Sequence, residues 1–318
     1  MIMRTVLFLL LLAAPIQAQT VWHAATEYPA TAMPGEGLNT FAARLAAATN
    51  GAITLDPAFD GPDGLRSATI PAAVTQGRLQ MGDAFAGALA PLDPVFQLSS
   101  LPFLATTDAE AMRLYRAARP AYDRAFARLG QHILYATPWP ATGLWSQSPV
   151  VDAADLQGLT VRTYDKTGSA VMDRAGAKGT ELSFADAMPR LRDGTVRAVL
   201  SSGDGGAGRR LWEVTRHFTA IGYAMPLSFA TVSQASYDVL PAALRRDVDR
   251  AAAETETAQW RALTQRTERN YATMRDNGVE LHDPSASLSN ALRQAAAATI
   301  NDWAAAAGPE AASLLARH

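Results

Sequence analysis

The stretch "DLQGLTVRTYDKTGSAVMDRAGAK", residues 155–178, gives the clearest indication of the fold. Its centre, Leu159 to Tyr164, alternates apolar and polar side chains and is rich in β-branched residues, which predicts a half-buried strand. A helix is predicted to follow from Gly168 to Gly176. Arg162 stands near the end of the strand, where an arginine either extends to water or is held in a cleft.

Strands and helices alternate through the rest of the chain. Thr20 to Ala25 are predicted to form a strand, Gly37 to Thr49 an amphipathic helix, and "AITLDPAF" a second strand. A long helical stretch from Pro241 to about Met274 exceeds the usual helix length. This alternation predicts an α/β fold. A chain of 318 residues is long enough for two lobes, and the absence of a low-complexity linker implies that the lobes share strands.

Composition excludes several classes of protein. Hydrophobic residues make up 48% of the chain and charged residues 18%, with a formal net charge of −2. No concentrated basic face is present, so nucleic-acid binding is not expected. The chain has no cysteine, which excludes disulfides, thiolate metal sites and a cysteine nucleophile.

The first 18 residues, "MIMRTVLFLLLLAAPIQA", have the pattern of a secretory signal peptide. Arg4 provides the positive n-region, a short apolar run follows, and Ala18 is a small residue before the expected cleavage site. The apolar run is too short for a typical membrane-spanning helix, although an N-terminal anchor is the alternative interpretation. We therefore expect a soluble, exported, periplasmic protein that is not itself embedded in the membrane.

Motifs for catalysis and metal binding are weak. The sequence contains no G-x-S-x-G elbow, no Walker-type motif and no H-E-x-x-H. No cofactor and no metal are predicted, and an enzyme such as a periplasmic hydrolase is a minor alternative. The histidines are scattered along the chain: His23, His132, His217, His282 and His318.

The segment from Gly203 to Gly208 fits G-x-G-x-x-G, after a predicted strand and before a predicted helix. A dinucleotide site also needs an acidic residue about 20 positions further on, and none is present there. We interpret the segment as a glycine-rich loop that permits close backbone approach beside Ser201 and Ser202. Backbone N–H groups in such a loop can receive an anion.

Candidate ligand contacts lie at the ends of predicted strands or in the loops that follow. In open α/β sheets, ligands bind at this edge. Each aromatic residue among them has core packing as an alternative role. Besides Arg162, Ser201 and Ser202, the predicted site comprises Glu27, Tyr28, Phe85, Trp139, Trp145, Tyr164, Phe184, Asp204 and Tyr223.

The order of these segments resembles a known family: the periplasmic solute-binding proteins of tripartite ATP-independent (TRAP) transporters, of the DctP type. The resemblance covers essentially the whole chain after the signal. It is carried by residues 155–191, by "LRDGTVRAVLSS" at 191–202, and by the return strand, Leu-Pro turn and long helix that begin at Pro226.

The resemblance implies that Arg162 corresponds to the family arginine that clamps a substrate carboxylate. A guanidinium can form two parallel hydrogen bonds to a carboxylate, which fits this role. One departure concerns the family's V-D-G-x-E-N-P segment, which reads V-R-A-V-L-S-S from Val196 to Ser202. Ser201 stands where an asparagine often helps to hold the carboxylate. We therefore favour a small monocarboxylate, including aromatic and hydroxy acids, over the family's sialic-acid and C4-dicarboxylate ligands.

The resemblance also implies an architecture and a role. The fold would be a two-lobe periplasmic binding protein (type II-like), with shared hinge strands and a long helix spanning both lobes. We assign residues 19–140 plus 224–260 to lobe I, and residues 141–223 plus 261–318 to lobe II. A monomer would capture a small carboxylate between the lobes and deliver it to TRAP membrane permease subunits. A protein that reports its ligand to a sensor is the main alternative.

Overall fold

The computed structural model describes residues 19–316, so the predicted signal peptide and His318 lie outside it. Two mixed β-sheets flanked by helices form a two-lobe α/β fold, as predicted. In chain order, the first half contains β1 (Thr20–Thr26), α1 (Met33–Ala48), β2 (Ile53–Ala58), α2 (Ile70–Thr75), β3 (Met81–Phe85), α3 (Asp108–Arg128), β4 (Gln131–Pro138) and β5 (Thr142–Ser146).

The second half continues through the other sheet and returns to the first. Its elements are β6 (Thr160–Thr163), α4 (Lys166–Arg174), β7 (Lys178–Glu181), α5 (Phe184–Arg192), β8 (Ala198–Ser202), α6 (Gly203–Gly208), β9 (His217–Thr219), β10 (Leu227–Ser233), α7 (Gln234–Asp238), α8 (Ala242–Asp276), β11 (Glu280–His282) and α9 (Ala286–Ala316).

Sheet A has the strand order β2-β1-β3-β10-β4, and sheet B has the order β11-β9-β5-β8-β6-β7. In sheet A, β10 is antiparallel to both of its neighbours, so β1, β3 and β4 run in one direction. In sheet B, β6 and β8 are parallel, whereas β5 is antiparallel to β8. Each sheet therefore presents the carboxyl ends of several parallel strands at one edge.

Helix α8 is 35 residues long, which corresponds to about 52 Å. Near its start, Val248 packs in the hydrophobic cluster of sheet A that contains Leu38. Near its end, Met274 packs in a cluster of sheet B that contains Trp145. The helix thus contacts the cores of both lobes, as the resemblance implied. The chain also crosses between the sheets after β4 and before β10.

Helix starts follow local capping chemistry. The side chain of Asp165 accepts a hydrogen bond from the backbone N–H of Gly168 at 2.7 Å and so caps α4 directly after the Arg162 strand. Thr107 and Glu110 form a capping box at the start of α3, and this helix continues through Pro120. Within residues 19–316, no helix combines the length and apolar character needed to cross a membrane.

Candidate functional site

A cavity of about 350 Å³ lies between the two sheets. Sheet A contributes side chains that lie at or just after the ends of β1, β3 and β4, and sheet B contributes side chains near the ends of β6 and β8. The predicted residues that line it are Tyr28, Phe85, Trp139, Arg162, Tyr164, Phe184, Ser201 and Ser202.

Arg162 is held rigidly at this cavity. Its side chain is buried, with the whole residue 5% exposed. Nε donates to the Leu182 carbonyl at 2.8 Å, and Nη1 donates to the Leu200 carbonyl at 3.4 Å. The guanidinium carbon lies 4.8 Å from the centre of the Phe184 ring. These contacts fix the plane of the guanidinium group and use two of its five N–H donors.

Arg162 is charged, but it forms no ion pair with a carboxylate in the described part of the chain. Among residues 19–316, no carboxylate lies within ion-pairing distance of it. Burial lowers the pKa of Arg162, while Tyr28 and Glu27 act in the opposite direction. An arginine nevertheless stays protonated in proteins. The site therefore contains a buried cation with hydrogen-bond donors left over, an arrangement that an anionic ligand would complete.

Aromatic rings from both lobes form the walls. Tyr28 and Trp139 pack edge to face with ring centres 4.7 Å apart. Phe85, from sheet A, packs in the same way on Tyr164, from sheet B, at 5.1 Å. The indole N–H of Trp139 donates to Ser228 Oγ at 3.0 Å, which fixes this ring. A ligand in the cavity would therefore lie between preformed apolar walls from the two lobes.

Helix α6 closes one side of the cavity. Ser202 caps this helix by accepting a hydrogen bond from the Gly205 N–H at 3.1 Å. A Cβ on Gly205 would come within 2.6 Å of Ser201 Oγ, and a Cβ on Gly206 would come within 2.2 Å of the Trp145 ring. The segment predicted as a glycine-rich loop is therefore a short helix, which Ser202 caps. Its glycines are required where a side chain would collide with Ser201 or Trp145.

A second cavity, of about 490 Å³, adjoins the first and shares Tyr28, Phe85, Arg162 and Tyr164 with it. Glu27 and Glu181 also line this second cavity. Glu27 is buried, and its carboxylate accepts a hydrogen bond from the Ser67 N–H at 2.8 Å. Acidic groups thus stand on the side of Arg162 away from α6.

Hydrogen bonds and an ion pair connect the two lobes around these cavities. Gln97, which lies between β3 and α3, donates to the Asp165 carboxylate at 2.7 Å. Arg209, directly after α6, donates to the Glu27 carbonyl and lies 3.3 Å from the carboxylate of Asp60. These contacts join the sheet A side of the molecule to the sheet B side next to the cavities.

The structure does not bring three predicted site residues to either cavity. Trp145 is fully buried and donates to the Ser202 carbonyl at 3.2 Å, so it supports the site from behind. Asp204 accepts from the Met33 N–H at 2.8 Å and forms an ion pair with Arg266. Tyr223 packs on Phe103 in the core of sheet B, with ring centres 5.6 Å apart.

The cavity also contains residues that sequence reasoning missed, among them Thr142 and Pro226. Thr142 begins β5, and Pro226 directly precedes β10. Both of these strands run antiparallel to neighbours whose carboxyl ends form the site, so their amino ends lie at the same edge. A search limited to the carboxyl ends of strands passes over such positions.

Comparison with solved structures found close matches in fold. DctP7, an extracytoplasmic solute receptor of Bordetella pertussis binding pyroglutamic acid, is 27% identical, with a TM-score of 0.89 over 93% of this chain and 98% of that one. A marine metagenome TRAP solute-binding protein specific for pyroglutamate is 26% identical, with a TM-score of 0.88 and the same coverage. A Sulfitobacter TRAP protein with bound β-D-galacturonate, 18% identical with a TM-score of 0.85 over 93% of this chain and 98% of that one, shares the fold.

A comparison with curated proteins found no match. The model of the DctP family, described as bacterial extracellular solute-binding protein, family 7, matches residues 24–306. This match includes both sheets and helix α8, and it extends into α9. The chain therefore belongs to family 7 of the bacterial extracellular solute-binding proteins, the DctP family of TRAP solute receptors.

Proposed function

We propose that this protein binds a compact organic acid with one carboxylate, of the pyroglutamate type, between its lobes and delivers it to a TRAP membrane permease. The observation that carries the proposal is Arg162, a buried cation at the interlobe cavity without a carboxylate partner among residues 19–316. The Arg162 guanidinium would bind the ligand carboxylate, and no chemical conversion of the ligand would take place.

The energetics agree with this role. A hydrogen bond to a charged group contributes roughly 1.5–3 kcal/mol net. Micromolar affinity requires about 8 kcal/mol. The remainder would come from burial of the ligand against the aromatic walls formed by Tyr28, Trp139, Phe85 and Tyr164. Because most of the binding free energy would come from contact with aromatic rings, the site favours a small, flat acid over a large, highly hydroxylated sugar.

The charges around the site favour a monocarboxylate. Glu27 and Glu181 line the cavity next to Arg162, so a second carboxylate on the ligand would be repelled there. A ligand N–H could instead donate to Glu27, whose carboxylate also accepts from Ser67. Pyroglutamate carries one carboxylate and one lactam N–H, and two relatives that are 26–27% identical are described as binding it.

We expect ligand binding to shift a pre-existing equilibrium between open and closed lobes toward the closed form. The contacts that connect the lobes, such as Gln97 to Asp165, would form on closure. The closed protein would then dock on the permease. We retain the predicted lobe boundaries (19–140 plus 224–260, and 141–223 plus 261–318) and the monomeric state as part of this proposal.

A thermal-shift screen followed by calorimetry tests the ligand class. L-Pyroglutamate should raise the unfolding temperature, since stabilisation grows as RT ln(1 + [L]/Kd). 2-Pyrrolidinone, which keeps the lactam but lacks the carboxylate, should give no shift, and the dicarboxylate succinate should bind much more weakly. A response to 2-pyrrolidinone or to neutral sugars, with none to monocarboxylates, would contradict the carboxylate assignment.

Export and transport need separate experiments. N-terminal sequencing of protein from the periplasm should begin directly after Ala18, the predicted cleavage position. Cells lacking the protein should take up labelled ligand more slowly than cells supplied with it. Normal uptake in its absence would favour the sensor role over transport.

A further inference from the structure

Three potential metal ligands meet at the outer edge of sheet B, away from the interlobe cavity. His217 is on β9, and Glu280 and His282 are on β11, the edge strand of the sheet. Strands β9 and β11 are parallel, and Glu280 stands directly beside His217. Because side chains alternate along a strand, His282 lies on the same face as Glu280. The sheet thus brings together two histidines that are 65 residues apart in sequence.

The distances among the three side chains suit one small cation. His217 Nδ1 lies 3.1 Å from His282 Nε2 and 3.5 Å from Glu280 Oε2, and the third separation is 3.9 Å. Tetrahedral coordination with bonds of about 2.0–2.1 Å separates neighbouring ligand atoms by about 3.3–3.4 Å. The triangle is therefore close to the size that a tetrahedral ion requires.

We propose that His217, Glu280 and His282 bind a divalent transition-metal ion of the Zn²⁺ type, with water as the fourth ligand. Imidazole and carboxylate are ligands that suit Zn²⁺ and its late first-row neighbours, whereas Mg²⁺ and Ca²⁺ prefer oxygen ligands alone. The histidine side chains are 14% and 21% exposed, and that of Glu280 is 69% exposed. An ion can therefore reach the site from solvent, and a water ligand has room.

The bound ion would have a structural effect. Strand β11 has three residues and pairs only with β9 among the described strands. It follows directly after helix α8, which contacts the cores of both lobes. A metal shared by β9 and β11 would connect the end of α8 to sheet B and would stabilise the folded protein by mass action.

The test uses the mature chain produced without a histidine tag and stripped of metal by a chelator. Calorimetry with Zn²⁺ should show saturable binding of one ion per chain, and Mg²⁺ should not compete. Co²⁺ should give the intense visible absorption of a tetrahedral site. Exchange of either histidine for alanine, and Glu280→Gln, should weaken Zn²⁺ binding by about tenfold or more, since even outer-shell changes cost 10–100-fold.

A matched control is available on the other lobe. His23 and Asp56 form an exposed pair at 3.2 Å on sheet A, and the variant His23→Ala should keep full Zn²⁺ affinity. Glu280→Gln keeps the size of an exposed side chain, so its loss of affinity cannot be attributed to unfolding. Absence of saturable Zn²⁺ binding, or binding unchanged in His217→Ala and His282→Ala, would show that the two imidazoles are only a hydrogen-bonded pair.

Discussion

Replacement of Arg162 by alanine is the most direct test of the binding site. In the unliganded protein, the change removes a buried positive charge that has no carboxylate partner among the described residues. It also leaves the carbonyls of Leu182 and Leu200 without the guanidinium donors. Because an unpaired buried charge is itself destabilising, we expect the free energy of unfolding of the unliganded protein to stay similar or to rise.

Arg162→Ala should weaken ligand binding, although it does not lower the stability of the unliganded protein. Removing one partner of a buried, hydrogen-bonded charge pair costs about 2–5 kcal/mol, much of it from the charge left unpaired. This range corresponds to an increase in Kd from about 30-fold to several thousand-fold. Arg162→Lys should lie between the wild type and alanine, because it keeps the charge but loses the forked geometry.

Calorimetric titration with L-pyroglutamate measures this loss, and urea unfolding without ligand measures stability. Arg197→Ala is the matched control, since Arg197 is an exposed arginine on the approach to β8, outside the cavity. It should leave Kd unchanged. An alanine variant of Arg162 that binds the ligand as tightly as the wild type would refute the assignment of the clamp.

Three further predictions concern other parts of the molecule. Gly205→Ala should weaken ligand binding roughly tenfold or more, because its Cβ would lie 2.6 Å from Ser201 Oγ at the cavity wall. Burial raises the pKa of Asp83 from 3.8 to about 7, so its ionisation destabilises the folded state progressively as pH rises from 4 to 7. The stability advantage of Asp83→Asn over the wild type, measured by urea unfolding, should grow by roughly 2–3 kcal/mol between pH 5 and pH 8. Arg209→Ala should speed ligand dissociation about tenfold in stopped-flow measurements, because it removes a contact between the closed lobes. Arg210→Ala, at an exposed arginine, should not.

Each of these predictions has a contrary outcome. Gly203→Ala, on the same helix but with its nearest contacts at 3.4 Å, should be tolerated, and an equal loss in both variants would point to the helix rather than the cavity. If the difference in free energy of unfolding between Asp83→Asn and the wild type does not change with pH, the Asp83 carboxyl does not titrate in the measured pH range. Unchanged dissociation in Arg209→Ala would place the restraint on lobe opening elsewhere.

The sequence was sufficient for the parts of the fold that depend on local pattern. Alternating strands and helices predicted the α/β class, and the uninterrupted run after Pro241 predicted the long helix α8. The glycine-rich segment was harder, because its low helix propensity is overridden by the cap at Ser202 and by packing against Trp145. Tertiary contacts of this kind cannot be predicted from a short segment of sequence.

The site could be predicted only in part for a similar reason. Sequence position identifies which residues lie near strand ends, but not which of them face the cleft. Asp204 and Tyr223 both lie near strand ends. Asp204 nevertheless forms an ion pair with Arg266, and Tyr223 packs in the hydrophobic core of sheet B. Pairing of His217 with His282 requires knowledge that β9 and β11 are neighbours, which depends on the sheet order alone.

The continuity of helix α8 also limits how the protein can move. In the proposed opening and closing of the lobes, a continuous helix anchored at Val248 in one lobe and at Met274 in the other would keep the rotation axis close to itself. Groups near that axis travel least. Arg266, which lies on α8 and forms ion pairs with both Glu36 and Asp204, would therefore keep both partners during that motion. Contacts farther from the axis would move over longer distances and would separate first.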